Sequence, residues 1–83
     1  MDELDELPHT VWVTWEAEDN LGYIRLGEIG DGQAAVQKIV PYPRGAGEII
    51  LDFSEEGVLL GIEFLGIDAM PPSMIPKNVR DKA

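Results

Sequence analysis

The sequence predicts a mainly β domain: one small, strongly twisted antiparallel sheet of five strands in meander order, with at most a short helical turn near the C-terminus. Three observations carry the prediction. From Glu48 to Ile67 the chain reads EIILDFSEEGVLLGIEFLGI, two apolar runs joined by a polar turn. From Thr10 to Glu16 it reads TVWVTWE, an alternation of β-branched and aromatic residues that suits a pleated surface. A helix over the central run would contain Gly57 and Gly61 and end at Gly66, and each glycine costs about 1 kcal/mol relative to alanine there.

Successive side chains of a strand alternate faces. In the first strand Val11, Val13 and Trp15 therefore oppose Thr10, Trp12 and Thr14, so one tryptophan points each way. Glu18-Asp19-Asn20 is a turn by composition. Leu21 to Ile29 follows as a second strand, ended by Gly30-Asp31-Gly32, and the two make a hairpin. Gln33 to Val40 tolerates either helix or strand. With only eight residues between Gly32 and Pro41 it is short for a helix, and it is assigned as a strand. Pro41 to Gly47 is a loop. In the central hairpin Ile49, Leu51 and Phe53 share one face, and Val58, Leu60, Ile62 and Phe64 share another. Between them Ser54-Glu55-Glu56-Gly57 places glycine where a left-handed residue is needed.

The ends are read as tails. Residues 1–9 form an acidic, flexible N-terminal tail, 10–70 the single β domain, and 71–83 a C-terminal tail that Pro71, Pro72 and Pro76 keep from forming a continuous helix. Met70, Met74 and Ile75 are apolar plugs for a sheet edge or face. The N-terminus is acidic where a signal peptide would be basic and then apolar, and no apolar run approaches the ~20 residues of a membrane helix. With no cysteine there is no disulfide and no thiolate metal site. A soluble, cytoplasmic protein without cofactor or membrane contact is expected.

Charge is the strongest compositional fact. Sixteen acids against six bases give a formal net charge of -10. Such a chain repels nucleic acid and attracts basic partners, although acidity that simply serves solubility accounts for the same charge. Stacking of bases on Trp12, Trp15 and Tyr23 would need interleaved cations, and only Arg25 is near, so direct nucleic-acid binding is not expected. The glycine clusters Gly30-Asp31-Gly32 and Gly45-Ala46-Gly47 lack the lysine or helix start of a phosphate loop.

Two motifs bear on chemistry. Asp52, Ser54, Glu56 and Gly57, with Glu63 as twelfth residue, resemble a calcium loop in which oxygen ligands alternate around a glycine turn. The flanks, however, have strand periodicity where helices are required, and the hairpin accounts for every residue. Asp52 and Glu63, facing each other across the hairpin, would form a carboxylate pair. The favoured reading is that they face solvent, or that one pairs with Arg25 or Lys38 on a neighbouring strand. His9 is the single histidine and assembles neither a triad nor a zinc site.

The run Asn20-Leu21-Gly22-Tyr23-Ile24-Arg25-Leu26, then Ile49-Ile50-Leu51-Asp52-Phe53, Gly57 and Gly61-Ile62-Glu63-Phe64-Leu65, resembles a family of small prokaryotic and phage domains, domain of unknown function 2283 (DUF2283). The resemblance covers roughly Trp12 to Pro72. It departs at Gly22, between Leu21 and Tyr23 where members usually have the two adjacent, and in the proline-broken tail. It implies a fold and brings no activity. Some members resemble partners of small toxin-like proteins, which would suit an acidic chain.

These readings converge on a non-enzymatic, acidic protein-interaction domain. Its partner is a protein, plausibly a basic, toxin-like or nucleic-acid-binding one. The second apolar set (Trp12, Ile50, Leu59, Leu65 and either Tyr23 or Ile24) exceeds one small core, so a homodimer is expected. The candidate surface is Trp12, Trp15, Tyr23, Asp52, Glu55, Glu56 and Glu63. The alternatives are a metal-dependent or acid-base enzyme built on Asp52, Glu55, Glu56 and Glu63, and a purely structural homo-oligomer of phage origin.

Overall fold

The computed structural model describes residues 5–27 and 34–80. The strands are β1 (Trp12–Glu16), β2 (Leu21–Arg25), β3 (Val36–Pro41), β4 (Glu48–Phe53) and β5 (Leu59–Leu65), and a short helical turn α1 (Lys77–Arg80) lies near the end. They form one open, fully antiparallel sheet. Of the ambiguous stretch Gln33–Val40, Val36 to Val40 is strand, as expected, and the strand takes in Pro41, expected in the loop. Gln33, and Glu28 and Ile29 at the end of the predicted second strand, lie outside the described residues.

The meander order is corrected. The sheet runs β1-β2-β5-β4-β3, so β2 pairs with β5 and never with β3. Two locally closed pieces, the β1–β2 hairpin and the β3–β4–β5 meander, meet along the β2–β5 seam. The seam is longer-range than neighbour pairing predicts, and its register sets Tyr23 against Glu63 and Gly22 against Phe64. Each local turn has a chemical cause. Asn20 ends the β1–β2 turn at φ 57, a left-handed conformation its short polar side chain tolerates. Gly57 takes φ 91 and donates its N–H to the Ser54 carbonyl at 3.0 Å.

The core lies on one face of the sheet. Ile24 and Phe64 are buried there together with Tyr42, Met70, Ile75 and Val79, and Val13, Trp15, Ile49 and Ile62 pack against them. The segment after Met70 therefore packs on the domain: Ile75 and Val79 are two of the six core residues, and Met70, just before it, is a third. Its prolines forbid a long helix but permit short turns, a 3-10 turn at Pro72–Met74 and then α1, which lay Ile75 and Val79 on the sheet. Tyr42 secures the junction, its hydroxyl donating to the Gly66 carbonyl at 2.8 Å. No helix among the described residues is long and apolar enough to cross a membrane.

Candidate interaction face

The register fixes which residues share the opposite face. One row across the sheet is Trp12, Arg25, Gly61, Asp52 and Gln37; the next is Thr14, Tyr23, Glu63, Ile50 and Ile39; the third is Glu16, Leu21, Leu65, Glu48 and Pro41. None of the residues of the core cluster lies on this face. The spare apolar set falls here in part: Trp12, Ile50, Leu65 and Tyr23 are on the open face, whereas Ile24 is core.

At its centre a polar network spans four strands. Tyr23 on β2 lies across Gly61 on β5, where a Cβ would collide with its ring and hydroxyl. The hydroxyl donates to Asp52 Oδ2 on β4 at 3.2 Å. From β3 the Gln37 amide Nε2 donates to Asp52 Oδ1 at 2.9 Å. Both oxygens of Asp52 are thus engaged, and the residue is only 7% exposed although it lies on the open face. The glycine at position 61 makes this possible, since only a residue without a side chain lets the tyrosine lie flat on the backbone.

Burial, the Asp52 charge and hydrogen bond, and the charge of Glu63 together push the Tyr23 phenol up to about 12. A phenol that holds its proton more tightly when folded stabilises the fold fully below its unfolded pKa, near 10, and loses that contribution as pH rises toward 12. The melting temperature is expected to fall between these values. Tyr23→Phe should shallow that alkaline limb while leaving the neutral region flat; an unchanged limb would assign it to Tyr42, whose phenol is also raised, by burial and Asp68.

Asp52 and Glu63 do not form the carboxylate pair weighed above as the less favoured reading. Asp52 stands opposite Gly61, and Glu63 opposite Ile50 on one side and Tyr23 on the other. The partners expected from charge, Arg25 and Lys38, are replaced by a phenol and an amide. Arg25 instead stands 5.8 Å over the Trp12 ring, within cation–π range.

Sequence reasoning grouped seven surface residues; the structure divides them. Trp12, Tyr23, Asp52 and Glu63 share the open face. Glu55 and Glu56 are exposed in the β4–β5 turn at the sheet's end. Trp15 is not on this surface: it packs on the core side over Gly22, with its Nε1 buried and without a partner. The calcium-like loop is closed by its own bonds, the Ser54 hydroxyl accepting from the Val58 N–H at 3.1 Å. Among the described residues no group of three or more His, Cys, Asp or Glu could hold a metal ion. Gln37 was missed, because its role depends on a register that composition does not encode.

Near the β1–β2 end, a hollow of about 350 Å³ lies between Glu16 and Glu63, with Leu21, Tyr23 and Thr14 in its lining. Asp19 stands beside Glu16 and raises its carboxyl above the ordinary value by charge and hydrogen bonding, a mark of crowded negative charge. Its lining combines two carboxylates with apolar side chains, Trp15 and Leu21 among them, a set that complements a lysine or arginine side chain with its apolar stem.

A family model described as protein of unknown function (DUF2283) matches residues 12–67, from the start of β1 to just past β5. No curated protein matches the chain, and no solved structure does.

Proposed function

The chain belongs to the DUF2283 family, and on that footing we propose that it is a non-enzymatic protein-interaction domain that takes a basic protein partner on the open face of its sheet. The observation that supports this reading is the composition of that face. Glu16, Glu48, Glu63 and the hydrogen-bonded Asp52 stand against a single base, Arg25, and are interleaved with Trp12, Tyr23 and Ile39. Interfaces draw affinity from aromatic and aliphatic anchors and draw association rate and selectivity from complementary charge. The Tyr23–Asp52–Gln37 network contributes rigidity, tying four strands into one platform before any partner arrives.

The test is titration of the isotope-labelled protein with lysine- and arginine-rich amphipathic peptides, followed by amide chemical shifts. Shifts are expected to concentrate at Thr14, Tyr23, Ile50 and Glu63, and to shrink when salt shortens the Debye length from about 10 Å to about 3 Å. Glu63→Lys should weaken binding about tenfold, which is 1.4 kcal/mol. Shifts spread over every exposed acid in proportion to charge, or centred on the Glu55-Glu56 turn, would sink the proposal.

A further inference from the structure

The β3 strand is one edge of the sheet, and all six of its residues are exposed. Val36, Ile39 and Val40 are 53%, 59% and 40% exposed, so among the described residues half of the six exposed large apolar side chains lie on this one strand. Its hydrogen-bonding phase follows from the bond that closes the β3–β4 loop, in which the Tyr42 N–H donates to the Gly47 carbonyl at 3.1 Å. Bonding alternates along an antiparallel pair, so Val40, Lys38 and Val36 bond inward to β4. Gln37 and Ile39 then turn their N–H and C=O outward. Pro41 occupies the next outward position, where its missing N–H costs the β3–β4 ladder nothing.

Charge selects the occupant. From Ala34 to Gly47 the chain carries Lys38 and Arg44 and no acid, in a protein whose net charge is -10. The opposite edge, β1, runs instead into Glu16, Glu18 and Asp19. Of the two like-to-like edge contacts, β3 against β3 avoids the acidic repulsion of β1 against β1, while β3 against the acidic β1 of another copy is heterologous and would not close into a dimer; a basic partner is drawn elsewhere. The strand is also self-complementary. With Ile39 of one copy opposite Ile39 of the other, each donates its N–H to the other's carbonyl, and each Gln37 donates to the opposite Pro41 carbonyl. Lys38 then lies beside Val40 on the facing strand, and no two lysines are directly opposed. Such a contact is isologous and closed, as a two-fold dimer requires.

We propose that β3 is the dimer interface of this protein, pairing antiparallel with a second copy about Ile39 to extend the sheet across both chains. The two-fold axis of such a pairing stands perpendicular to the sheet, so the open faces of both copies point the same way. If those faces bind a basic partner, as proposed above, the dimer presents two such sites side by side and gains avidity toward a partner that spans them. An interface one strand wide is small, so exchange between monomer and dimer at micromolar concentration is expected.

The test is sedimentation velocity of the full chain over a concentration series, at low and at high salt. Wild type should pass from one to two chain masses with rising concentration, and salt should strengthen the association by screening like charge. This is opposite to its effect on a basic partner, so failure of either proposal is distinguishable from failure of the other. Ile39→Lys should weaken dimerisation at least about tenfold, equivalent to 1.4 kcal/mol. Ile39→Pro removes an outward N–H together with the isoleucine side chain, leaves the inward β3–β4 ladder intact, and should do the same while far-UV circular dichroism stays unchanged. If one variant fails to fold, the other carries the test. A wild type that stays monomeric throughout, or a dimer that a folded Ile39 variant leaves intact, would overturn the proposal.

Discussion

Phe64→Ala is expected to remove a large part of the stability of the fold. Phe64 is 6% exposed and stands on β5 between Gly22 on β2 and Ile49 on β4. It therefore occupies the line where the two locally closed pieces meet, beneath the C-terminal segment. Truncating a buried phenylalanine typically costs about 3–5 kcal/mol, because the removed atoms lose their transfer energy and leave a cavity. A chain of 83 residues has about 4–12 kcal/mol in total at the usual per-residue stability. With a urea slope of about 1 kcal/mol per molar, the midpoint should drop by about 3 M or more. A change below about 1 kcal/mol would mean that Met70, Ile75 and Val79 do not seat on this residue.

Gly22→Ala should be the most damaging addition of a single methyl group on the core face. Gly22 is buried, and a Cβ there would run into the six-membered ring of Trp15 at Cζ3 and Cε3, with Met70 Cε 3.5 Å away. The indole cannot retreat without disturbing the core residues packed around it. Overpacking of this kind costs about 1–3 kcal/mol. The same change made in a Trp15→Leu background should recover most of the loss, giving a coupling energy that a double-mutant cycle reads directly. Gly27→Ala is the control: nothing lies within 4 Å of its added carbon, and an effect within about 0.5 kcal/mol is expected. Equal costs in both backgrounds would show that the tryptophan is not what the methyl meets.

Gly22 also shows what was legible in the sequence. It was visible as a departure from the family pattern between Leu21 and Tyr23, but its reason, the ring of Trp15, comes from cross-strand register. The five strands, the left-handed Gly57 and the opposed tryptophans were legible because alternation and turn chemistry are local. Strand order was not. Neighbour pairing predicts a meander, and nothing in the composition of β2 announces that its partner is β5. The covering of one face was hidden for a related reason. Three prolines read as a tail, although short turns between them suffice to place Ile75 and Val79 in the core. At the candidate site Asp52 and Glu63 stood out as acids among apolar residues. Their actual neighbours, Tyr23 and Gln37, depend on pairings between strands far apart in the chain.

The order β1-β2-β5-β4-β3 has a consequence for assembly. The β3–β4–β5 piece closes over short turns, at little loop entropy, whereas joining β2 to β5 brings together residues such as Leu21 and Leu65. A two-stranded hairpin alone is marginal in water, so β1 and β2 gain lasting structure only on reaching a third strand. During synthesis that strand is the last of the five to be made. The β1–β2 hairpin is thus translated well before the strand it must join, and its apolar residues wait for β5 to emerge before that seam can form.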